Sequence, residues 1–371
     1  MISNETKQTV STSEGVRIVG NFRITDATQA RIMISLADKI YTRKELAIVR
    51  EYSNNMADAQ REAGKSIADC IVTFPTMDES VIKFRDFGLG LTETEIANIY
   101  CVFGESTKRN SNEYNGVLGY GAKSAFGLSD SFTVTSWVNG EKSIYQCIKG
   151  DTTRLHEAML LSRCPSDEPT GIEVCVPIKN SLLWTIHSEA ASFFKLWPII
   201  PQFVNFNESD LETLNKFRNT APTLQGEGWS IRPKSESTAI GVAYMGGVGY
   251  PIQWNTLYNH MALDSKTRVL FELLQSNDLV MTFAMGEIQF VDSREGLEYT
   301  EFTLKALTDR IISIFNKIKD SIQVKFNDAS TIWEAKKIYN AIFGTDLGLY
   351  ASTDDDDDDD DVDTIGWHSY S

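Results

Sequence analysis

Apolar residues recur at three- and four-residue steps over positions 28–40 and again over 44–63, a spacing that predicts two amphipathic helices. Short β-rich runs follow at 67–74 and 81–85, and then a turn from Asp86 to Gly90 that reads DFGLG. Thr92, with Glu95 three residues later, carries the capping-box signature of a short helix. Residues 104–121 are polar, punctuated by glycine and without periodicity; a loop of that length inside a compact region is usually functional or disordered. A short helix to about Gly127 leads into strands near 131–138, 143–149 and 171–178. This order of helix pair, strand pair, loop and strand run predicts an α+β layer with helices on one sheet face.

A second domain is expected after Asn180, which divides the chain into residues 1–180, 181–345 and 346–371. Its strand candidates lie at 239–245, 250–254 and 279–290. A long helix over 302–324 carries a buried stripe of Leu304, Leu307, Ile311, Ile314, Ile318 and Ile322. The glycine cluster from Gly246 to Gly249 reads as a hairpin turn between flanking strands, not as a nucleotide loop. A further helix near 331–343 would stop at Gly344. The most apolar stretch, Phe193 to Phe206, is broken by Lys195, Pro198 and Pro201 and is too short to span a bilayer, so a buried interdomain connector is expected.

Composition narrows the class. With 371 residues, 42% apolar and 23% charged, the chain can bury a sizeable core. The formal net charge is −16, but nine of the 51 acids are Asp354 to Asp361 and Asp363, which leaves 42 acids against 35 bases elsewhere. That balance argues against binding duplex DNA by backbone neutralisation. The aspartate tail is too polar to fold and reads as a solubility element. Its alternative is a partner-binding segment, because Trp367 and Tyr370 follow the acids. Five cysteines without CxxC spacing (Cys70, Cys101, Cys147, Cys164 and Cys175) read as reduced, buried thiols of a cytoplasmic protein. Four unpaired histidines make a structural zinc site improbable. The polar start has no signal-peptide core.

The chemistry concentrates in three ordered segments. A helix over 44–63 puts Glu51, Asn55 and Asp58 on one face, at i, i+4 and i+7. A solvated helix face is one reading of that trio. The other is a carboxamide ligand for Mg²⁺ at Asn55, with Glu51 one turn away to deprotonate water. Asp86 follows a strand and could accept a hydrogen bond from an adenine amino group, while Gly88 and Gly90 permit close ligand approach. Gly116, Gly119 and Gly121 then punctuate a loop that enters a helix at Lys123, where free N–H groups can hold phosphates.

Together these segments resemble the GHKL ATPases, the family of DNA gyrase B, the ninety-kilodalton heat-shock chaperone, sensor histidine kinases and MutL. The ExxxNxxDA pattern falls on Glu51, Asn55, Asp58 and Ala59, and DxGxG on Asp86, Gly88 and Gly90; the lid glycines are Gly116, Gly119 and Gly121. The resemblance covers about the first half of the chain. It implies a Bergerat α/β sandwich followed by a smaller, transducer-like α+β domain and a disordered acidic tail. It also implies ATP and Mg²⁺ as ligands, with Glu51 as general base, Asn55 on the metal and Asp86 reading adenine. Histidine kinases generally lack this glutamate, which favours the hydrolysing branch. The family's Gly-Thr pair near adenine is reversed here as Thr170-Gly171, so Thr170 is a weaker contact. The segment from Phe283 to Glu295 is similar to the chaperone's middle-domain strand and Ser-Arg-Glu turn. Arg294 would then sense the terminal phosphate, unless it forms only a surface salt bridge. Lys108 and Lys123 are further phosphate contacts or simply solvated lysines.

At finer grain, the runs from Arg50 to Ala59, Pro169 to Val174 and Val291 to Glu295 resemble the rIIA proteins of tailed phages, which work with an rIIB partner. The expectation is an ATPase that slowly hydrolyses MgATP, dimerises on ATP, closes residues 104–121 as a lid and acts on a protein partner. It would sit in the cytoplasm, the host's if phage-encoded, with peripheral contact to the membrane. The rivals are a non-hydrolysing nucleotide-binding protein and a DNA-transaction factor of the MutL or topoisomerase type.

Overall fold

The computed structural model describes residues 39–102, 121–151, 154–235, 239–261 and 265–327, with single positions at Thr28, Ile32, Ser35 and Leu263. The aspartate tail, the helix expected near 331–343 and most of the glycine-punctuated loop lie outside the described residues.

Helix α1 (Lys44–Glu62) lies against the first sheet. Its inward positions Ile48, Val49, Tyr52 and Met56 are buried, and the Tyr52 ring meets Phe84 of the sheet at 5.3 Å between centroids. Helix α1 ends in a Schellman turn. Gly64 adopts φ +66, its N–H donates to the Arg61 carbonyl, and the Lys65 N–H donates to the Gln60 carbonyl at 2.8 Å.

The first sheet collects β1 (Ile71–Thr73), β2 (Val81–Arg85), β3 (Ser131–Val138), β4 (Glu141–Ile148), β5 (Glu157–Pro165), β6 (Gly171–Pro177) and β7 (Gln202–Val204). Their order is β5-β4-β3-β6-β2-β1-β7, antiparallel throughout except for β1 and β7, which run parallel with Ile71 opposite Gln202. Helices α2 (Leu183–Phe194) and α3 (Glu208–Asn219) complete the layer. Leu183, Ile186, Phe194 and Leu214 belong to the same core as Ile48 and Phe84. The packing of the first layer therefore continues well past residue 180.

The second sheet takes β8 (Leu224–Gly226), β9 (Trp229–Arg232), β10 (Gly241–Met245), β11 (Val248–Pro251) and β12 (Asp278–Thr282) in the order β11-β10-β12-β9-β8. Helices α4 (Trp254–Met261), α5 (Ser265–Ser276) and α6 (Glu301–Asn327) accompany it. The architecture is α+β, as the order of patterns predicts. On α6, Leu307, Ile311, Ile314 and Ile318 are fully buried, whereas Leu304 is only partly so. Gly246 and Gly247 both have positive φ, at 56 and 75, and form the expected two-residue hairpin loop between β10 and β11.

Several expectations need correction. The strand expected over 279–290 stops at Thr282, because a turn closed by the Ala284 carbonyl and the Glu287 N–H, with Gly286 at φ +89, takes the chain off the sheet. Strand β5 has no counterpart among the expected strands. It is an edge strand exposed on both faces, so it carries no alternation to read. Cys70 and Cys147 are buried, and burial pushes each thiol up to about 12, but Cys101 and Cys164 are exposed. The Phe193–Phe206 stretch buries Phe193, Phe194 and Trp197, yet Ile199 and Val204 face solvent. Among the described residues no helix is long and apolar enough to cross a membrane.

The Gly64 turn yields a stability prediction. A Cβ at Gly64 would meet nothing within 4 Å, so a side chain there costs only its left-handed backbone. Gly64→Ala should lower stability by about 1–2 kcal/mol, and Gly64→Asn by less, because asparagine tolerates that conformation. Thermal unfolding of both variants against the parent checks the ranking.

Candidate functional site

Helix α1 brings its acids inward. Glu51 and Asp58 are buried and Asn55 is half-buried, so the solvated-face reading does not hold for the two carboxylates. Glu51 is held on one side by Arg50, whose Nε lies 2.9 Å from Oε1, and on the other by Arg294, whose Nη1 lies 3.6 Å from Oε2. Gly121 stands so close that a Cβ there would lie 2.6 Å from Glu51 Oε2. Asp58 accepts from Arg61 at 2.9 Å, an i,i+3 pair on the same helix. Asn54, beside Asn55, is buried with neither amide atom hydrogen-bonded.

The turn after β2 packs directly on this helix. A Cβ at Gly88 would fall 2.9 Å from the Ala59 methyl, and one at Gly90 (φ +76) would fall 2.3 Å from the Trp137 carbonyl oxygen. Both glycines are therefore required by the close approach of α1 and β3. Asp86 is buried, and its Oδ1 accepts from the Gly88 N–H at 2.9 Å and the Ile172 N–H at 3.1 Å. Thr170 donates its hydroxyl to the Gly88 carbonyl at 2.8 Å, so it braces the turn. Arg85 lies over the rings of Trp137 and Phe87 and donates to the carbonyls of Asp86 and Pro169.

Gly116, Gly119 and Lys108 lie outside the described residues. Gly121 opens a 3₁₀ helix, Gly121–Gly127, that packs on α1, with the Tyr52 hydroxyl donating to the Ala122 carbonyl at 3.0 Å. Lys123 on this helix is buried and donates to the Val102 carbonyl at 2.8 Å; burial lowers its pKa to about 8.

The ion pair of Arg294 is not a surface salt bridge. Arg294 sits in a turn after β12 at φ +56, is buried, and reaches Glu51 of α1. Burial works against its charge, but Glu51, with Tyr250 and Tyr41, outweighs that and raises its pKa. Around it the turn makes two more contacts with α1. Arg50 Nη1 and Nη2 each donate at 2.8 Å, to the carbonyls of Arg294 and Ser293. The Glu295 carboxylate accepts the backbone N–H groups of Arg43 at 2.8 Å and Thr42 at 3.1 Å, just ahead of α1. Arg43, the N-cap residue, supplies no side-chain cap of its own. Tyr41 lies near the same cluster, with the Arg50 guanidinium 5.5 Å from its ring; burial, then Glu51, raises its phenol. A second contact joins the layers where Trp197 Nε1 donates to the Gly247 carbonyl at 2.8 Å.

Sequence reasoning missed Arg50 and Glu295. Arg50 and Glu295 act through partners more than 240 positions away, and no local spacing marks such pairs. The chemistry of the set suits a magnesium-bound nucleotide. It offers a carboxylate and a carboxamide one turn apart, a buried amine, and glycines whose absent side chains keep Ala59 and Glu51 close to backbone. Among the described residues no group of three or more His, Cys, Asp or Glu side chains could hold a metal ion. A Mg²⁺ ion at Asn55 would therefore draw most of its shell from phosphate and water, as that ion ordinarily does.

No family model matches the chain. It is 26% identical over 200 residues to the chaperone protein HtpG of Clostridium botulinum, strains Langeland and Okra, and 24% identical to that of Halalkalibacterium halodurans. These matches take in 48% of this chain, which spans about a third, 31%, of the length of those relatives. The likeness is distant and partial, and it supports a GHKL-type ATP-binding chain at that level of detail.

Proposed function

We propose that this chain binds MgATP between α1 and the Asp86–Gly90 turn and hydrolyses it slowly, as a conformational switch acting on a protein partner. The observation that carries the reading is the Glu51–Arg294 pair, which joins the proposed base to the second layer. Asp86 would accept the adenine amino group, and Thr170 would hold the turn that carries it. Gly116, Gly119, Gly121 and Lys123 would surround the phosphates. Asn55 would hold Mg²⁺, which when bound offsets phosphate charge, and Asp58 would support this wall of the site through Arg61.

In the arrangement described, both oxygens of Glu51 are engaged by guanidinium groups, Oε1 by Arg50 and Oε2 by Arg294. Glu51 becomes competent to take a proton from water when Arg294 exchanges it for a phosphate oxygen. A guanidinium suits that exchange because its planar donors grip either anion. The terminal phosphate would then favour one arrangement of the two layers over another, which differential affinity requires of a ligand-driven switch. The finer reading, an rIIA-like protein that dimerises on ATP and works with an rIIB-like partner, rests on the sequence resemblance alone. A second reading, binding without turnover, is favoured by the same double engagement of Glu51.

Asp86→Asn should abolish ATP binding in calorimetry, because a carboxamide can present its amino group where an acceptor is needed. Glu51→Ala should bind ATP and lose phosphate release. Normal turnover in that variant would remove Glu51 from the mechanism, and no turnover in the parent would leave the binding-only reading.

Lys123 yields a proton-linkage prediction. Its pKa is lowered from 10.5 to about 8, so between those values the unfolded chain holds more protons and stability rises with pH. A phosphate beside the amine raises its pKa again, so ATP binding in that window should take up a proton. Calorimetry in two buffers of different ionisation enthalpy measures the uptake, and Lys123→Met should abolish it.

Arg294→Ala should bind ADP normally and hydrolyse ATP at least about tenfold more slowly, a loss of about 1.4 kcal/mol in barrier stabilisation. It should also fail to change shape in solution scattering with a non-hydrolysable analogue. A variant that responds like the parent would refute the exchange.

A further inference from the structure

Gln60 is 1% exposed at the end of α1 and uses both ends of its amide. Its Oε1 accepts the Phe87 N–H at 3.0 Å, and its Nε2 donates to the Ser66 carbonyl at 2.6 Å. The Schellman turn at Gly64 is what brings Ser66 back within reach. It also delivers Lys65, whose Nζ donates to the Phe87 carbonyl at 2.6 Å. Two consecutive peptide groups, Asp86–Phe87 and Phe87–Gly88, are thus pinned from α1 and its trailing turn. Arg85 holds the Asp86 carbonyl as well, and Thr170 the carbonyl of Gly88.

The orientation of the Asp86 carboxylate follows from these pins. One oxygen already accepts two backbone N–H groups, so the side chain cannot rotate without moving the Phe87 peptide. That matters for base choice. Adenine presents an amino donor at the position where guanine presents a carbonyl acceptor. A carboxylate fixed toward that position accepts from adenine and is repelled by guanine. A carboxylate free to swing can instead accept from guanine's ring N–H and its own amino group. Sites that hydrogen-bond a substrate group reject analogues strongly only while the unpaired alternative stays costly.

We infer that Gln60, with Lys65, is a positioning residue that sets the adenine-over-guanine selectivity of the site by clamping the Phe87 backbone. The inference rests on the nucleotide-binding reading proposed above. Glutamine is suited to the task because one side chain both accepts and donates; Gln60→Leu keeps the bulk and removes both bonds.

The test measures Kd for MgATP and MgGTP by calorimetry on the full chain and its Gln60→Leu and Lys65→Met variants. The parent should prefer ATP at least tenfold. Gln60→Leu should cut the ATP/GTP ratio of affinities at least tenfold, and Lys65→Met about threefold. A purely structural role would lower the active fraction or weaken both nucleotides together and leave the ratio unchanged. Lys65 is exposed, so its variant still decides the matter if Gln60→Leu does not fold. An unchanged ratio in the folded variants overturns the clamp and leaves ATP binding standing. A parent that binds both nucleotides alike overturns the clamp and leaves nucleotide binding standing, whereas a parent that binds neither overturns the nucleotide reading and the clamp with it.

Discussion

The arrangement depends on a buried ion cluster in which Arg50 and Arg294 share the carboxylate of Glu51. Removing such charges from water is expensive, and the expense is met only where nearly every donor finds a partner. Arg50 meets that condition: its Nε goes to Glu51, and its two terminal nitrogens go to the carbonyls of Arg294 and Ser293. The same turn offers Glu295 to the backbone ahead of α1. One short segment of the second layer thus supplies an anion, a cation and two carbonyls to a single helix. Breaking a buried pair by removing one partner costs about 3–5 kcal/mol, so any ligand that separates these groups must supply comparable compensation.

The Asp86–Gly90 turn is held by a different principle. Gly88 against Ala59, and Gly90 against the Trp137 carbonyl, leave no room for side chains, so α1, the turn and β3 behave as one packed unit. Small residues here are determined by distance, not by flexibility. That gives the DxGxG and DA patterns a common cause, since Ala59 is the residue that Gly88 touches.

Much of this was legible where the determinant is local. The Thr92–Glu95 capping box forms both of its bonds, the Gly246–Gly247 loop has the backbone its composition demands, and the α6 stripe is buried at Leu307, Ile311, Ile314 and Ile318. The spacing of Glu51, Asn55 and Asp58 also points to α1, because helical period and motif coincide there. Other features were hidden for physical reasons. Strand β5 faces solvent on both sides, and α2 runs into a continuous apolar stretch that carries no period. Glu295 looks like any surface glutamate until the chain folds and places the start of α1 beside it. Gln60 reads as an ordinary polar residue of an amphipathic helix; only its two backbone partners, one of them brought round by Gly64, mark it out.

The parallel pairing of β1 with β7 has a consequence for how the chain acquires its shape. Ile71 meets Gln202, so this end of the first sheet gains its edge strand only after more than a hundred intervening residues have been ordered or looped out. Closing so large a loop is entropically slow, and such non-local strand pairs are made late. During synthesis on the ribosome, β1 would wait with one edge unpaired until residues 202–204 emerged. An unpaired β1 edge invites wrong partners. Its shortness, three residues from Ile71 to Thr73, limits the template it can offer in that interval.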